Sequence, residues 1–141
     1  MIIRNATLKD AEICHKLGQI KEFELPNKRY MNIEFFKSHA KKPYFIVAVD
    51  EKTKKIIGYA VGDKYEDRPA IQLWYIMVDK KYRGQGIGDR LLKEFEDVCI
   101  KNGVMFLILY AQSNNKRLLQ FYRHRKFDLG HKYVECIKKI F

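Results

Sequence analysis

The junction between an apolar segment and a glycine-rich turn is the feature that most constrains how this chain can fold. An apolar run at residues 73–78 is followed by glycines at positions 84, 86 and 88. Residues 87–102 then repeat apolar side chains at helical spacing. This order predicts a buried strand that passes through a tight turn directly into an amphipathic helix, which is typical of folds that pack helices against a sheet.

Two further apolar runs, at residues 44–49 and 56–61, precede the strand at 73–78 and are joined to it by short polar links. Short links between strands predict an antiparallel meander. The runs are almost continuously apolar, so we expect helices on both faces of the sheet. Residues 104–110 form another apolar run after the helix, and a helical crossover predicts that this strand lies parallel to residues 73–78.

The remaining elements lie towards the two ends of the chain. Residues 1–4 predict a first strand, Thr7 and Asp10 a capping box that starts a helix extending towards Pro26, and Asn32 the start of a second helix. A last helix is predicted at residues 115–124, followed by two strands around Phe127 and at residues 133–140. The predicted class is α/β, more closely an α+β mixed sheet, with the order β-α-α-β-β-β-α-β-α-β-β.

The length of 141 residues and the hydrophobic content of 47% predict one domain over residues 1–141 with a core of its own. The apolar run at 104–111 is too short to cross a bilayer, and the N-terminus lacks the apolar stretch of a signal peptide. The three cysteines have no paired spacing, so we expect a reducing, cytoplasmic location. We predict no metal site, because His15, His39, His124 and His131 lack ligand spacing and are expected to be surface or structural residues.

The formal net charge is +11, and residues 116–141 contribute +6 of it. Such a basic segment favours polyanions, among them nucleic acids, phosphate-rich cofactors and acidic proteins. A surface that is merely solubilising is the alternative. Composition does not choose among these partners.

The glycine turn predicts a site for an anion. Glycines at 84, 86 and 88 let the backbone wrap with its N–H groups inward, and the helix that follows adds unpaired N–H groups at the positive end of its dipole. A P-loop is excluded because no Gly-Lys-Ser/Thr follows, and a dinucleotide fingerprint would need glycine where Asp89 stands. The remaining pattern is R-x-x-G-x-G, filled by Arg83, Gly86 and Gly88. A flexible turn without a ligand is the alternative interpretation.

With that motif, and with Asn115 followed seven residues later by Tyr122, the sequence resembles the GCN5-related N-acetyltransferase (GNAT) superfamily over nearly its whole length. The resemblance implies acetyl-CoA as cosubstrate and a sheet that splays between residues 73–78 and 104–110. It implies that the main chain at Ile76, Met77 and Val78 pairs with pantetheine and the acetyl carbonyl. It also implies that a run of N–H groups beside Arg83 holds the pyrophosphate, namely those of Gly84, Gln85, Gly86, Ile87, Gly88 and Asp89.

Acetyl transfer to an amine needs a neutral nitrogen, stabilisation of the carbonyl oxygen and a proton for the thiolate. The resemblance implies that Tyr122 donates this proton and that a backbone N–H, expected to be that of Val78, polarises the carbonyl. Asn115 is expected to bond pantetheine or to cap the last helix. In the alternative interpretation Tyr122 is an ordinary core residue of an amphipathic helix.

The general base is the weakest part of the resemblance, because Gln72 and Tyr110 stand where relatives carry a carboxylate. An α-amine, with a pKa of about 7.7–8.0, is partly neutral at pH 7, whereas a lysine at about 10.4 is not. A weakly basic acceptor therefore fits better. The other possibility is a loop carboxylate acting through water, for which the candidates are Glu22, Glu24, Glu66 and Asp67.

The sequence thus predicts an enzyme that moves an acetyl group from acetyl-CoA to a primary amine by direct attack in a ternary complex. Two alternatives belong to other classes: a basic nucleic-acid-binding module, which would show steep salt dependence, and an acetyl-CoA sensor without turnover. The sequence leaves open which amine is the acceptor and what the oligomeric state is.

Overall fold

The computed structural model of the protein describes residues 1–140. The chain divides into two compact units, Met1–Leu109 and a second unit that begins at Tyr110. The elements of the first unit are, in chain order, β1 (Ile2–Asn5), α1 (Leu8–Leu17), α2 (Ile33–His39), β2 (Phe45–Val49), β3 (Ile56–Lys64), β4 (Ala70–Val78), α3 (Ile87–Lys101) and β5 (Phe106–Ile108). The second unit contains α4 (Lys116–His124).

The five strands form one sheet in the order β1-β2-β3-β4-β5. The pairs from β1 to β4 are antiparallel, and β4 and β5 are parallel. The predicted meander and the predicted parallel strand after the crossover helix are therefore confirmed. The α/β class with a mixed sheet is confirmed with them.

Both faces of the sheet are covered, as the continuous apolar runs predict. On one face α1 and α2 enclose a core around Phe36, Phe45 and Tyr59. On the other face α3 packs against β2, β3 and β4 through Leu91, Leu92 and Phe95. Gly58 of β3 makes this close approach possible, because a Cβ there would lie 2.7 Å from the carbonyl oxygen of Met77 and 3.0 Å from Cδ1 of Leu91.

The ladder between β4 and β5 is short, and this opens the sheet. Only Ala70, Ile71 and Gln72 of β4 pair with β5. β4 continues to Val78, paired there with β3 alone among the strands of the described residues. The sheet is thus splayed along residues 73–78, as expected.

The predicted strands around Phe127 and at residues 133–140 are wrong for the described residues, none of which forms a strand after Ile108. The apolar side chains that favoured them, including Tyr133, Val134 and Ile137, are exposed, Val134 to 88%. A strand is stable only when its N–H and C=O groups pair with a neighbouring strand, and apolar composition alone does not supply that neighbour.

The first helix also ends earlier than predicted, at Leu17 rather than towards Pro26. The Gly18 N–H closes it on the carbonyl of Cys14, and two short 3₁₀ turns, Lys21–Phe23 and Pro26–Lys28, follow. Cys14 and Cys99 are buried free thiols. No helix within residues 1–140 has the length and apolar character needed to cross a membrane.

The predicted capping box at the start of α1 is confirmed and has a third member. The Asp10 carboxylate accepts hydrogen bonds from the Thr7 N–H at 2.7 Å and from Arg4 Nη1 at 2.6 Å. Burial raises the pKa of Asp10, but the bonds from Arg4 and Thr7 outweigh it and hold that pKa below its ordinary value. This network fixes the corner between β1 and α1.

We predict that Asp10→Asn lowers the free energy of unfolding by about 2 kcal/mol at pH 7, because the two charge-assisted bonds from Arg4 need both oxygens of a carboxylate, although the asparagine oxygen still accepts the Thr7 N–H. Since the pKa of Asp10 is lowered on folding, its stabilisation is present above the unfolded pKa and disappears as pH falls through the folded one. Urea titrations should therefore show the difference shrinking in acid. Asp97→Asn, which breaks only an exposed pair with Lys93, is the control and should change stability by less than about 0.5 kcal/mol.

Candidate active site

The open edge of β4 presents the main chain of alternate residues. The N–H of Asp79 donates to the carbonyl of Ile57 at 2.8 Å. Opposed residues in an antiparallel pair alternate between hydrogen-bonded and non-hydrogen-bonded positions. The Tyr59 and Met77 pair is therefore hydrogen-bonded, whereas Ile76 and Val78 direct their N–H and C=O groups to the open side.

The three residues predicted to bind through their backbone thus differ in their placement. Ile76 and Val78 are half-buried and line the open edge. Met77 is buried in the core beneath α1 and α2, with its main chain turned towards β3. Along this edge the N–H and C=O of Ile76 and the N–H of Val78 are available to a ligand, whereas the Val78 carbonyl accepts a hydrogen bond from Arg83.

Arg83 joins the end of the strand to the turn. Its Nε donates to the carbonyl oxygen of Val78 at 2.9 Å, and its Nη1 lies 3.9 Å from the carboxylate of Glu22. The side chain of Asp79 accepts from the N–H of Lys81 and so holds the intervening 3₁₀ turn, Lys80–Tyr82. Arg83 therefore holds the glycine turn against β4 and brings the segment after α1 to the same end of the strand.

The glycines of the turn are required by backbone conformation. Gly84 has φ +79° and Gly86 has φ +77°, in the left-handed region, while a Cβ at either position would meet nothing within 4 Å. Gly86 is the N-cap of α3 and supplies no side-chain hydrogen bond. Gly88 lies in the first turn of α3, and Gln85 is exposed.

This start of α3 has the properties of an anion site. Ile87 is buried and fixes the helix against the sheet, so the position of the first turn is set by packing. The positive end of the helix dipole faces an exposed turn whose N-cap offers no side-chain oxygen. Lys80, Lys81 and Arg90 add positive charge, and the first-turn carboxylate of Asp89 opposes it.

In the second unit, Tyr122 is 6% exposed and packs edge-on against the rings of Phe121 and Phe127, each at 5.2 Å. Burial raises the pKa of its phenol above the ordinary value of 10, against the opposing effect of Arg125. Tyr122 therefore keeps its proton throughout the neutral range. Asn115 caps α4, its Oδ1 accepting the N–H of Leu118 at 3.1 Å, so its structural role is present in the chain itself.

Gln72 and Tyr110 stand at the two positions where the resemblance would place a carboxylate base. Gln72 is buried, and its Oε1 accepts a hydrogen bond from the Tyr65 hydroxyl at 2.8 Å. Tyr110 is exposed in the second unit. Of the loop carboxylates, Glu22 faces Arg83, and Asp67 lies 3.7 Å from its neighbour Arg68.

A cluster around the buried His39, which sequence reasoning missed, lies beside β4. The Nε2 of His39 is 2.7 Å from a carboxylate oxygen of Asp63, which also accepts the Trp74 indole N–H at 2.8 Å. The Nδ1 of His39 faces the carbonyl of Phe35 at 2.5 Å. Both ring nitrogens of His39 thus lie within hydrogen-bond distance of a partner, Asp63 on one side and Phe35 on the other. His39, expected from the sequence to be a surface or structural residue, is buried and bonded on both sides.

Burial raises the pKa of Asp63, but the hydrogen bonds from His39 and Trp74 outweigh it and leave that pKa lowered. The cluster joins α2 to β3 and orients the indole of Trp74 on the open strand. Along the chain, His39 lies 24 residues from Asp63 and Trp74 lies 11 residues from it. The alternation of apolar residues carries no signal for such a contact, because strand register and the position of α2 bring the three together.

Comparison with known protein families gives one match over most of the chain. The model of the acetyltransferase (GNAT) family matches residues 12–127, which include β4, the glycine turn and Tyr122. Among curated proteins, no sequence matches this chain.

Several solved structures share the fold. A variant of the BH1408 protein from Bacillus halodurans is 23% identical, with a TM-score of 0.76, covering 99% of this chain and 100% of that chain. An aminoglycoside acetyltransferase from an uncultured soil metagenomic sample, in complex with sisomicin, is 21% identical (TM-score 0.72; 99% and 95% covered). A ribosomal-protein-alanine N-acetyltransferase from Brucella melitensis is 21% identical (TM-score 0.76; 91% and 85% covered). Identities at this level establish the fold alone.

We predict that Gly86→Ala lowers the free energy of unfolding by about 1–2 kcal/mol, because a side chain strains the left-handed backbone there although it meets no neighbour. Urea unfolding measures the change. Gly130→Ala is the matched control, since a Cβ at Gly130 also meets nothing and its φ lies outside the left-handed range. Equal effects of the two substitutions would contradict a backbone requirement at Gly86.

Proposed function

Because the chain belongs to the GNAT family of acetyltransferases, we propose that it transfers an acetyl group from acetyl-CoA to a primary amine by direct attack in a ternary complex. The observation that carries the proposal is the continuity of the open edge of β4 with the glycine turn and the start of α3. A strand edge suits the amides of pantetheine, and a helix N-terminus suits a diphosphate.

In this proposal the N–H groups from Gly84 to Asp89 hold the pyrophosphate. The main-chain groups of Ile76 pair with the pantetheine arm, the Val78 N–H pairs with the acetyl carbonyl, and Met77 fixes the strand from the core side. Arg83 keeps the turn and the strand end together through its bond to the Val78 carbonyl. Asn115 caps the helix that carries Tyr122.

The thioester supplies an activated acetyl group. The amine lone pair attacks the carbonyl carbon, the C–S bond breaks with its electrons on sulfur, and the nitrogen loses a proton to solvent water. A main-chain N–H on the open edge of β4, that of Val78 in our proposal, stabilises the oxygen as it becomes negative. Tyr122 gives its proton to the departing thiolate and regains one from solvent.

The acceptor in this proposal is an amine of low basicity, such as the α-amine of a peptide or a small molecule. Gln72 is an amide bonded to Tyr65 and takes no proton. The nitrogen must then be neutral without a strong base, which an α-amine with a pKa of about 7.7–8.0 achieves near neutral pH. The buried free thiols Cys14 and Cys99 fit a reducing, cytoplasmic location.

The proposal retains the prediction that residues 1–141 form a single acetyltransferase domain. Incubating the protein with acetyl-CoA and a panel of amines and peptides, with mass spectrometry of the products, tests it directly. An added acetyl group raises the mass of the acceptor by about 42 Da, and this increase should appear on at least one α-amine.

A protein that binds acetyl-CoA and acetylates nothing in the panel would instead be a sensor. RNA affinity that falls steeply with salt, in a protein whose melting temperature acetyl-CoA leaves unchanged, would support a nucleic-acid-binding module. These outcomes separate the three functions.

We predict that Tyr122→Phe lowers kcat by about 10²-fold or more while the Kd for acetyl-CoA changes little, because only the proton donor is removed. Steady-state turnover assays measure kcat, and calorimetry measures the Kd for acetyl-CoA. The pKa of Tyr122 is raised above 10, so the wild-type rate should show no falling limb from this residue below pH 10. Tyr133→Phe, which alters an exposed tyrosine of the same unit, is the control.

A further inference from the structure

A buried hydroxyl without a partner lies under the segment that follows α1. Tyr59 of β3 is fully buried, and its hydroxyl is the one buried side-chain polar atom with no hydrogen-bond partner among the residues that the structure describes. A polar group left in this state destabilises the folded protein. Phenylalanine would fill the same core without that cost, so the hydroxyl calls for another explanation.

The hydroxyl lies at a small cavity with a volume of about 10 Å³. The cavity is lined mainly by Phe23, Met31, Phe36 and Tyr75, with His15 and Gly18 beside Tyr59. A Cβ on Gly18 would lie 2.7 Å from the Tyr59 hydroxyl, so the absence of a side chain there keeps the space open. The volume admits one group of about the size of a water molecule.

The cavity adjoins the candidate active site through two connections. Phe23 packs on Tyr75 with 4.7 Å between ring centroids, and Tyr75 directly precedes Ile76, whose main chain faces the open edge of β4. Glu22, next to Phe23, lies 3.9 Å from Arg83, which bonds the Val78 carbonyl. The same segment therefore borders both the cavity and the strand end where the proposed reaction occurs.

The chemistry of the cavity selects its occupant. None of the described residues that line it carries a carboxylate, so an ammonium group would be desolvated without a counter-charge. A methyl group would leave the Tyr59 hydroxyl unpaired, whereas a hydroxyl both fits the volume and pairs with it. We infer that this cavity binds a hydroxyl group of the acceptor, which makes the acceptor class a primary amine that also carries a hydroxyl. The inference rests on the proposed function.

Isosteric pairs of α-amino amides test this inference: threonine amide against valine amide, and serine amide against 2-aminobutanamide, with rates compared at equal concentrations of the neutral amine. Each pair exchanges a hydroxyl for a methyl of similar size. The wild-type kcat/KM with acetyl-CoA should favour the hydroxyl-bearing member of at least one pair by roughly tenfold. In Tyr59→Phe the preference should fall to within about twofold, with the methyl-bearing member nearly unaffected.

The matched control is Tyr44→Phe, which removes the hydroxyl of another buried tyrosine, outside the cavity. It should leave the preference unchanged. Tyr59→Phe should also raise Tm by roughly 3 °C, because it removes an unpaired polar group. Gly18→Ala, which places a Cβ in the hydroxyl's space, should abolish the preference while Tyr59 is still present.

A preference that Tyr59→Phe leaves intact, or wild-type turnover without any preference, would overturn the inference while acetyl transfer stands. If the wild type acetylates none of the amines, the proposed function fails. Thermal shifts with threonine amide and valine amide then test separately whether the cavity binds a hydroxyl group. Stabilisation of the wild type by threonine amide, absent in Tyr59→Phe, supports it. A crystal structure with threonine amide bound elsewhere and water on Tyr59 overturns it.

Discussion

The hydrogen-bond phase of the β3 and β4 ladder is the constraint on which the candidate site depends. Once the Asp79 N–H donates to the Ile57 carbonyl, the alternation of an antiparallel pair fixes which residues of β4 face β3 and which face outward. Because pairing with β5 stops at Gln72, no strand within residues 1–140 lies beside the outward groups of Ile76 and Val78. A one-residue change of register would exchange these groups with those of Met77.

Different interactions hold β4 at its carboxyl end and along its length. At its carboxyl end Arg83 bonds the Val78 carbonyl, and two left-handed glycines bring the chain into α3. Along its length Asp63 bonds both the Trp74 indole and His39, which joins the strand to α2. β4 is thus held from both faces of the sheet, although no strand pairs with it along its open edge in the part of the chain that the structure describes. Such support is what positions a ligand along main-chain groups.

Much of this arrangement was predictable from local patterns, and the exceptions share a cause. Spacing within a few residues predicts the capping box at Thr7 and the helix after the glycine turn. The helical crossover that precedes β5 predicts its parallel direction. The terminal strands were wrong because β-type composition does not provide a partner edge. The cluster of His39, Asp63 and Trp74 and the unpaired hydroxyl of Tyr59 were missed, since each depends on residues far apart in the sequence.

By itself the sequence determined the class of the fold, the glycine turn and the family pattern, because periodicity, glycine positions and a motif of fixed spacing are local properties. The tertiary structure alone decided which main-chain groups of β4 are open, that Arg83 turns back to the strand, and that a hydroxyl-sized cavity lies under Phe23 and Tyr75. These depend on strand register and on helix packing, which arise from contacts between distant segments and are not encoded at any one position.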